Sequence, residues 1–281
     1  MRNHKKNFSL LGLVLLGIAL PASNEVIAAE TVEVEEGKFG LGVGYALARF
    51  DTNFKFKNKQ TGISVFIDGE GTLGLPESDI LPVLYGAYRF TNKHSIGFSY
   101  FKVKRESTLL DFDDTVDDIT ITGQVTLRDN TSFYNLFYGY SLYEDERSRV
   151  QGLIGINGLD LKYIFEANGT ITYPDSSTTA TYEVEESLFA PLPLLGFQFW
   201  YAFTPKWSLD TKVAFVAGQY QETKAWVVNT SITSKYQFNK HVGGLLGVAY
   251  FDAEVTIEDS EERTDINYGY DGLFLGLHIV F

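Results

Sequence analysis

In the stretch "KFGLGVGYALARF" (38–50), Phe39, Leu41, Val43, Tyr45 and Leu47 alternate with Gly40, Gly42, Gly44, Ala46 and Ala48. This period of two most constrains what the chain can fold into. Successive side chains of a strand point to opposite faces, whereas a helix returns to the same face every three to four residues. One face here is bulky and apolar and the other nearly bare, so the bare face can pack closely inside a narrow barrel.

The same grammar returns at 81–90, 94–100, 133–143, 191–203, 207–219, 226–238 and in the closing "LFLGLHIVF" (273–281). Wherever one face is oily, the polar and charged residues fall on the other. Arg89, Gln198, Asp210, Lys212 and Lys235, with Trp200, lie on that second face and are the candidate lumen-lining residues. Charge at a lipid-facing midplane position costs about 2–4 kcal/mol, while an enclosed polar lumen tolerates it. A soluble sandwich would turn the oily face inward instead, and periodicity alone admits both. The 17 Tyr, 22 Phe and 26 Gly suit strands with interfacial aromatic girdles and weigh toward the barrel.

The opening 29 residues add to this. Arg2, Lys5 and Lys6 precede an apolar run from Phe8 to Leu20 and then small residues at Ala28 and Ala29. That is the layout of a cleaved secretory signal peptide, leaving a single barrel domain over 30–281 with a short acidic N-terminal segment. No later window approaches 18 consecutive apolar residues, which excludes a helical membrane protein. The net charge of −13 becomes more negative once the leader is removed, so nucleic acid is excluded as a partner. There is no Cys, so stability must come from something other than disulfides, and a closed hydrogen-bonded sheet can supply it.

Four short connections, "RFTNKH" (89–94), "YEDERSR" (143–149), "AFTPKW" (202–207) and "QFNKH" (237–241), read as periplasmic turns. The connections over 52–78, 105–130, 166–187 and 258–266 are long and polar. Four internal short turns with both termini on the same side give an all-β, antiparallel up-and-down transmembrane β-barrel of ten strands, centred near 44, 85, 100, 138, 157, 197, 213, 232, 248 and 275. Eight or twelve strands are the alternatives. A bulge is expected near Gly155, where the alternation slips. The runs at 62–67 and 119–127 are expected to extend hairpins above the membrane.

The alternating end with its terminal aromatic, and "AFTPKWSL", resemble Gram-negative outer-membrane barrels of the broad OmpA and OmpW-like group. The resemblance covers the chain from residue 30 onward as an architecture and departs from it in strand number, since eight are expected of those families. It implies a monomer in the bacterial outer membrane, in contact with lipid and lipopolysaccharide. It also implies that Leu273, Leu275, Leu277, Ile279 and Phe281 form the signal read by the assembly machinery.

No residue is assigned to catalysis, to a cofactor or to a metal. The outer-membrane enzyme families use a histidine, most often near the outer rim, whereas His94, His241 and His278 map to the periplasmic end. "GEGTLG" (69–74) matches a dinucleotide fingerprint without its strand and helix, and reads as a flexible loop. The acidic runs 111–118, 183–186 and 258–265 fit no calcium-loop spacing and read as solvated outer loops. Ten strands enclose little more than eight, and Tyr85, Phe137, Trp200, Tyr220 and Phe274 narrow the lumen further, so a wide porin is excluded. Three functions remain: a narrow channel for a small solute, a closed barrel acting through its outer loops as receptor, adhesin or structural element, and a rim hydrolase.

Overall fold

The computed structural model describes residues 38–281, apart from 63, 117–118, 174–175, 221–222 and 259; the leader and the acidic segment that follows it lie outside the described residues. Thirteen strands run in chain order: β1 (Phe39–Asn58), β2 (Ser64–Asp68), β3 (Ser78–Arg89), β4 (His94–Lys102), β5 (Arg105–Val116), β6 (Ile119–Asp129), β7 (Ser132–Glu144), β8 (Ser148–Tyr173), β9 (Ser176–Thr204), β10 (Trp207–Tyr220), β11 (Thr223–Gln237), β12 (Val242–Glu258) and β13 (Glu262–Val280).

Ten of them close into an antiparallel barrel in the order β1, β3, β4, β7, β8, β9, β10, β11, β12, β13 and back to β1. These are the ten expected from sequence. The closing seam pairs Gly40 with Val280 through to Asn58 with Glu262. The backbones of Phe39 and Phe281 exchange two hydrogen bonds (3.2 and 2.8 Å), and their rings stack at 6.2 Å. The last residue thus completes the ladder.

Lipid-facing side chains form one belt. Val43, Tyr45 and Leu47 on β1 and Leu273, Leu275 and Leu277 on β13 are 51–66 % exposed. At about 3.3 Å per residue, Phe39–Leu47 runs roughly 27 Å along the strand, enough when tilted for most of an apolar band about 25 Å tall. Aromatic pairs edge the belt on the periplasmic side, including Tyr88–Phe90, Tyr201–Phe203, Phe203–Trp207 and Tyr236–Phe238 at 4.6–5.8 Å. On the outer side the belt ends at the Arg49–Asp271 ion pair (2.9 Å). On the inner face, the missing Cβ of Gly42 lets the Tyr85 ring lie across β1, so that its hydroxyl donates to the carbonyl of Leu277 at 3.0 Å.

Three sequence expectations need correction. Gly155 lies in a regular part of β8, facing inward against β7; the bulge is on β7, between Ser141 and Tyr143. The connection over 166–187 continues β8 and β9 beyond the membrane as one long hairpin, with Tyr173 paired to Ser176. The "GEGTLG" segment folds inward against the barrel instead of standing out as a free loop: Leu75 is 2 % exposed, and the Leu75 amide donates to the Gly69 carbonyl at 3.0 Å. The runs at 62–67 and 119–127 behave as expected: β2 pairs with the outer part of β1, and β6 joins β5 to the outer part of β8.

Candidate functional site

The lumen has two halves. The outer half is filled by Phe50, Phe101, Phe133, Phe251, Tyr268 and Tyr270, carried on β1, β4, β7, β12 and β13. Phe133 on β7 meets Phe251 on β12 at 5.3 Å between ring centroids. Those strands are five apart in either direction around a ring of ten, so the contact crosses the full width of the barrel. Phe133 also stacks on Phe101 at 4.4 Å, and Phe251 stacks on Tyr270 at 5.2 Å.

Above this aromatic layer sits a buried ion cluster. The Arg105 guanidinium donates to Asp129 through Nε (3.0 Å) and Nη2 (2.7 Å), to Thr52 Oγ1 (2.9 Å) and to Glu70 (2.5 Å), and it stacks over Phe50 at 4.4 Å. Thr131 donates to the other oxygen of Asp129. Burial opposes the charge on Arg105, but Tyr268, Asp129 and Glu70 outweigh it and push its pKa up. Burial pushes the Asp129 carboxyl up against the pull of Arg105 and Thr131. Glu70 belongs to the inward-folded segment. Its carboxylate also accepts from the Thr52 amide (2.8 Å), and Ser107 Oγ donates to the Leu73 carbonyl (2.6 Å), so the segment is fastened to β1 of the wall and to β5.

The inner half is a cavity of about 790 Å³ reaching to the periplasmic mouth. All six residues expected to line the lumen are in its wall: Arg89, Gln198, Trp200, Asp210, Lys212 and Lys235. Asp210 bonds two of the others. It accepts from Gln198 Nε2 at 2.9 and 2.8 Å and from Lys235 Nζ at 2.9 Å. Arg89 is drawn away to the rim, where it pairs with Glu144 and donates to the carbonyl of Asn92 at 2.7 Å. Trp200 lies beneath Arg149 at 5.6 Å. Lys212 reaches over the Phe137 ring at 5.2 Å. The side chain of Tyr220 is outside the described set.

The three histidines among the described residues are all at the periplasmic end. His94 is bonded to the Tyr138 hydroxyl, His241 Nδ1 to the carbonyl of Val280 (3.1 Å) and His278 Nε2 to Gln237 Oε1 (2.8 Å). The outer acidic runs are partly neutralised by cations of the same chain: Glu185 pairs with Lys162 at 2.7 Å and Glu258 with Lys59 at 3.0 Å. The run at 111–118 falls where side chains are not described. Sequence reading missed the ion cluster, although Arg105 and Asp129 pair at the base of the hairpin that contains the "ITITGQVTL" run.

No family model and no curated protein matches the chain. Among solved structures, it is similar to the outer membrane protease OmpT from Escherichia coli, with a TM-score of 0.57 at 9 % identity over 88 % of this chain and 100 % of that one. Weaker likenesses are to the CymD monoaromatic hydrocarbon channel (TM-score 0.39, 12 % identity, 89 % and 90 % covered) and to OprG from Pseudomonas aeruginosa (0.36, 14 %, 88 % and 97 %). At these identities what is shared is the fold. That fold is the Gram-negative outer-membrane β-barrel, and the apolar belt around this chain is of the kind that a lipid bilayer covers.

Proposed function

We propose that this protein is a closed outer-membrane barrel that acts through the β-structure it presents outside the cell, as a surface receptor, adhesive or structural element. The observation that carries this reading is the Phe133–Phe251 contact across the lumen. Its strength lies in where the seal comes from. Phe50, Phe101, Phe133, Phe251 and Tyr268 all stand on strands of the wall, so moving the inward-folded segment at 69–77 would not clear them. The outer extension supports the second half of the reading. The β8–β9 hairpin runs from Ser148–Tyr201 to Tyr173–Ser176, β6 pairs along its outer part, and β5 follows. A non-enzymatic role is supported by the three histidines being held at the end remote from the outer rim.

Planar-bilayer recording of the refolded protein tests this, after an unheated sample has been shown to migrate differently from a boiled one. No steady conductance is expected. A steady conductance altered by Lys212→Ala or Lys235→Ala would replace the closed barrel with a narrow channel. The terminal strand's role belongs to the same proposal: Leu273, Leu275, Leu277, Ile279 and Phe281 would present the assembly signal, and the apolar faces seen on β13 suit it.

A further inference from the structure

We propose that the periplasm-facing cavity is a binding site for a small organic anion, with its acidic group at Lys212 and its apolar body against the wall formed by β1, β3, β12 and β13. This goes beyond the closed-barrel reading, because the cavity is present whether or not the seal above it ever opens.

The first argument is charge. The chain as a whole is acidic, with a net charge of −13. Among the described residues, the cavity wall reverses this: it carries seven Lys and Arg side chains and one carboxylate, Asp210. Lys38, Lys206 and Lys240 stand toward the mouth, and Lys212 and Lys235 deeper in. A cleft lined by one sign of charge with low-dielectric walls concentrates ions of the other sign.

The second argument is the state of Lys212. The one nearby carboxylate is already engaged, since Asp210 accepts from Gln198 with both oxygens and from Lys235. Among the described residues, Lys212 has no carboxylate within ion-pair distance, and its contact is the face of Phe137. Its position sharpens the point. The next inward residue of β10 is Ala214, 1 % exposed and part of the apolar seal, so the ammonium sits at the blind end of the cavity. A cation there is costly unless an anion or water meets it.

The third argument is the division of the wall. Gln198, Asn229, Ser231 and Thr233 on β9 and β11 offer hydrogen bonds around Lys212. The wall carried by β1, β3, β12 and β13 is largely apolar, with Ala46, Leu81, Val83, Tyr85, Leu245 and Phe274, while β4, β7 and β8 add Ser95, Ser99, Asn135 and Gln151. A mostly apolar cavity with a few convergent polar groups suits a small molecule, and about 790 Å³ is within the range of such sites. The chemistry recognised is a carboxylate or similar acid on an aromatic or aliphatic body.

The test uses Trp200, which lines the cavity, as reporter in a Trp207→Phe/Trp226→Phe background, with the protein in lipid nanodiscs. Benzoate, benzyl alcohol and inorganic phosphate are titrated separately. Benzoate is expected to give a saturable change at a concentration at least about tenfold lower than either of the others. Lys212→Met is expected to weaken benzoate by about tenfold or more and Lys212→Arg to retain it, with a heat-shifted gel band showing that both are folded. Equal response to benzyl alcohol, equal response to phosphate, no saturable response to benzoate, or an unchanged Lys212→Met each overturns the proposal. None of these outcomes bears on conductance, so the two readings fail separately.

Discussion

Arg105 and Lys212 both point into the same barrel, yet they are solved in opposite ways. Arg105, in the outer half, is wrapped by two carboxylates, a hydroxyl and an aromatic ring. Lys212, in the inner half, is left with a ring face and polar neighbours at the end of an open cavity. The outer half is built as protein interior, where every buried charge must be partnered. The inner half is built as a site, where a charge can be left for something that arrives.

Replacing Phe133 and Phe251 by Ala should break this comparison most strongly. Each truncation should cost about 3–5 kcal/mol of stability in a urea titration of the liposome-embedded protein. Together they should produce a conductance that the parent lacks, by removing the contact that spans the lumen. Arg105→Ala should also cost about 3–5 kcal/mol, because Asp129 and Glu70 would be left buried without their cation. It should not open the barrel, since the aromatic layer is borne by the strands, and a pore in this variant would move the seal to the ion cluster.

A lipid-facing charge tests the other comparison, between the two faces of a strand. Leu275→Lys should destabilise by about 2–4 kcal/mol, while Ser231→Lys, facing the cavity, should be tolerated; equal costs would contradict the assignment of faces. Phe281→Ser should lower the amount of barrel reaching the outer membrane, read by the heat-shifted band in membrane fractions, and unchanged levels would remove the last residue from the assembly signal.

The smallest effect is in the periplasmic turn. Asp145 accepts from the Tyr143 hydroxyl (2.6 Å), the amides of Arg147 and Ser148, and Ser148 Oγ, which lower its pKa to about 2. A depressed carboxylate stabilises the fold above its unfolded pKa near 4 and loses that contribution as the pH falls toward about 2. Asp145→Asn should remove the pH dependence in that window, followed by stability between pH 5 and 2; an unchanged profile would show that the turn does not depend on the charge.

Where the wall crosses the membrane it was legible in the sequence, because lipid on one side and a confined lumen on the other impose strict alternation on residues such as those of 38–50 and 273–281. Beyond the belt both faces of a strand can meet water, the alternation loses its contrast, and the β8–β9 hairpin reads as a polar connection. The inward-folded segment carried a signal in Leu73 and Leu75, two apolar residues in a polar loop, but its glycines suggested mobility instead. Arg89, Asp210, Lys212 and Lys235 could be placed on the inner face in advance because charge on the non-lipid face has only one place to go. That Asp210 would be taken by Gln198 and Lys235, leaving Lys212 over, depends on the register of three adjacent strands and could not be read in advance.

The central claim is that the lumen is sealed from outside and open toward the periplasm, and the absence of native Cys permits a direct measurement. Single-Cys variants at Ser231, in the cavity wall, and at Ser260, on the exposed outer side, would be exposed in intact cells to a maleimide too large for general porins. The account predicts that Ser260→Cys labels at once, and that Ser231→Cys labels only after the outer membrane is broken. Labelling of Ser231→Cys in intact cells would contradict it.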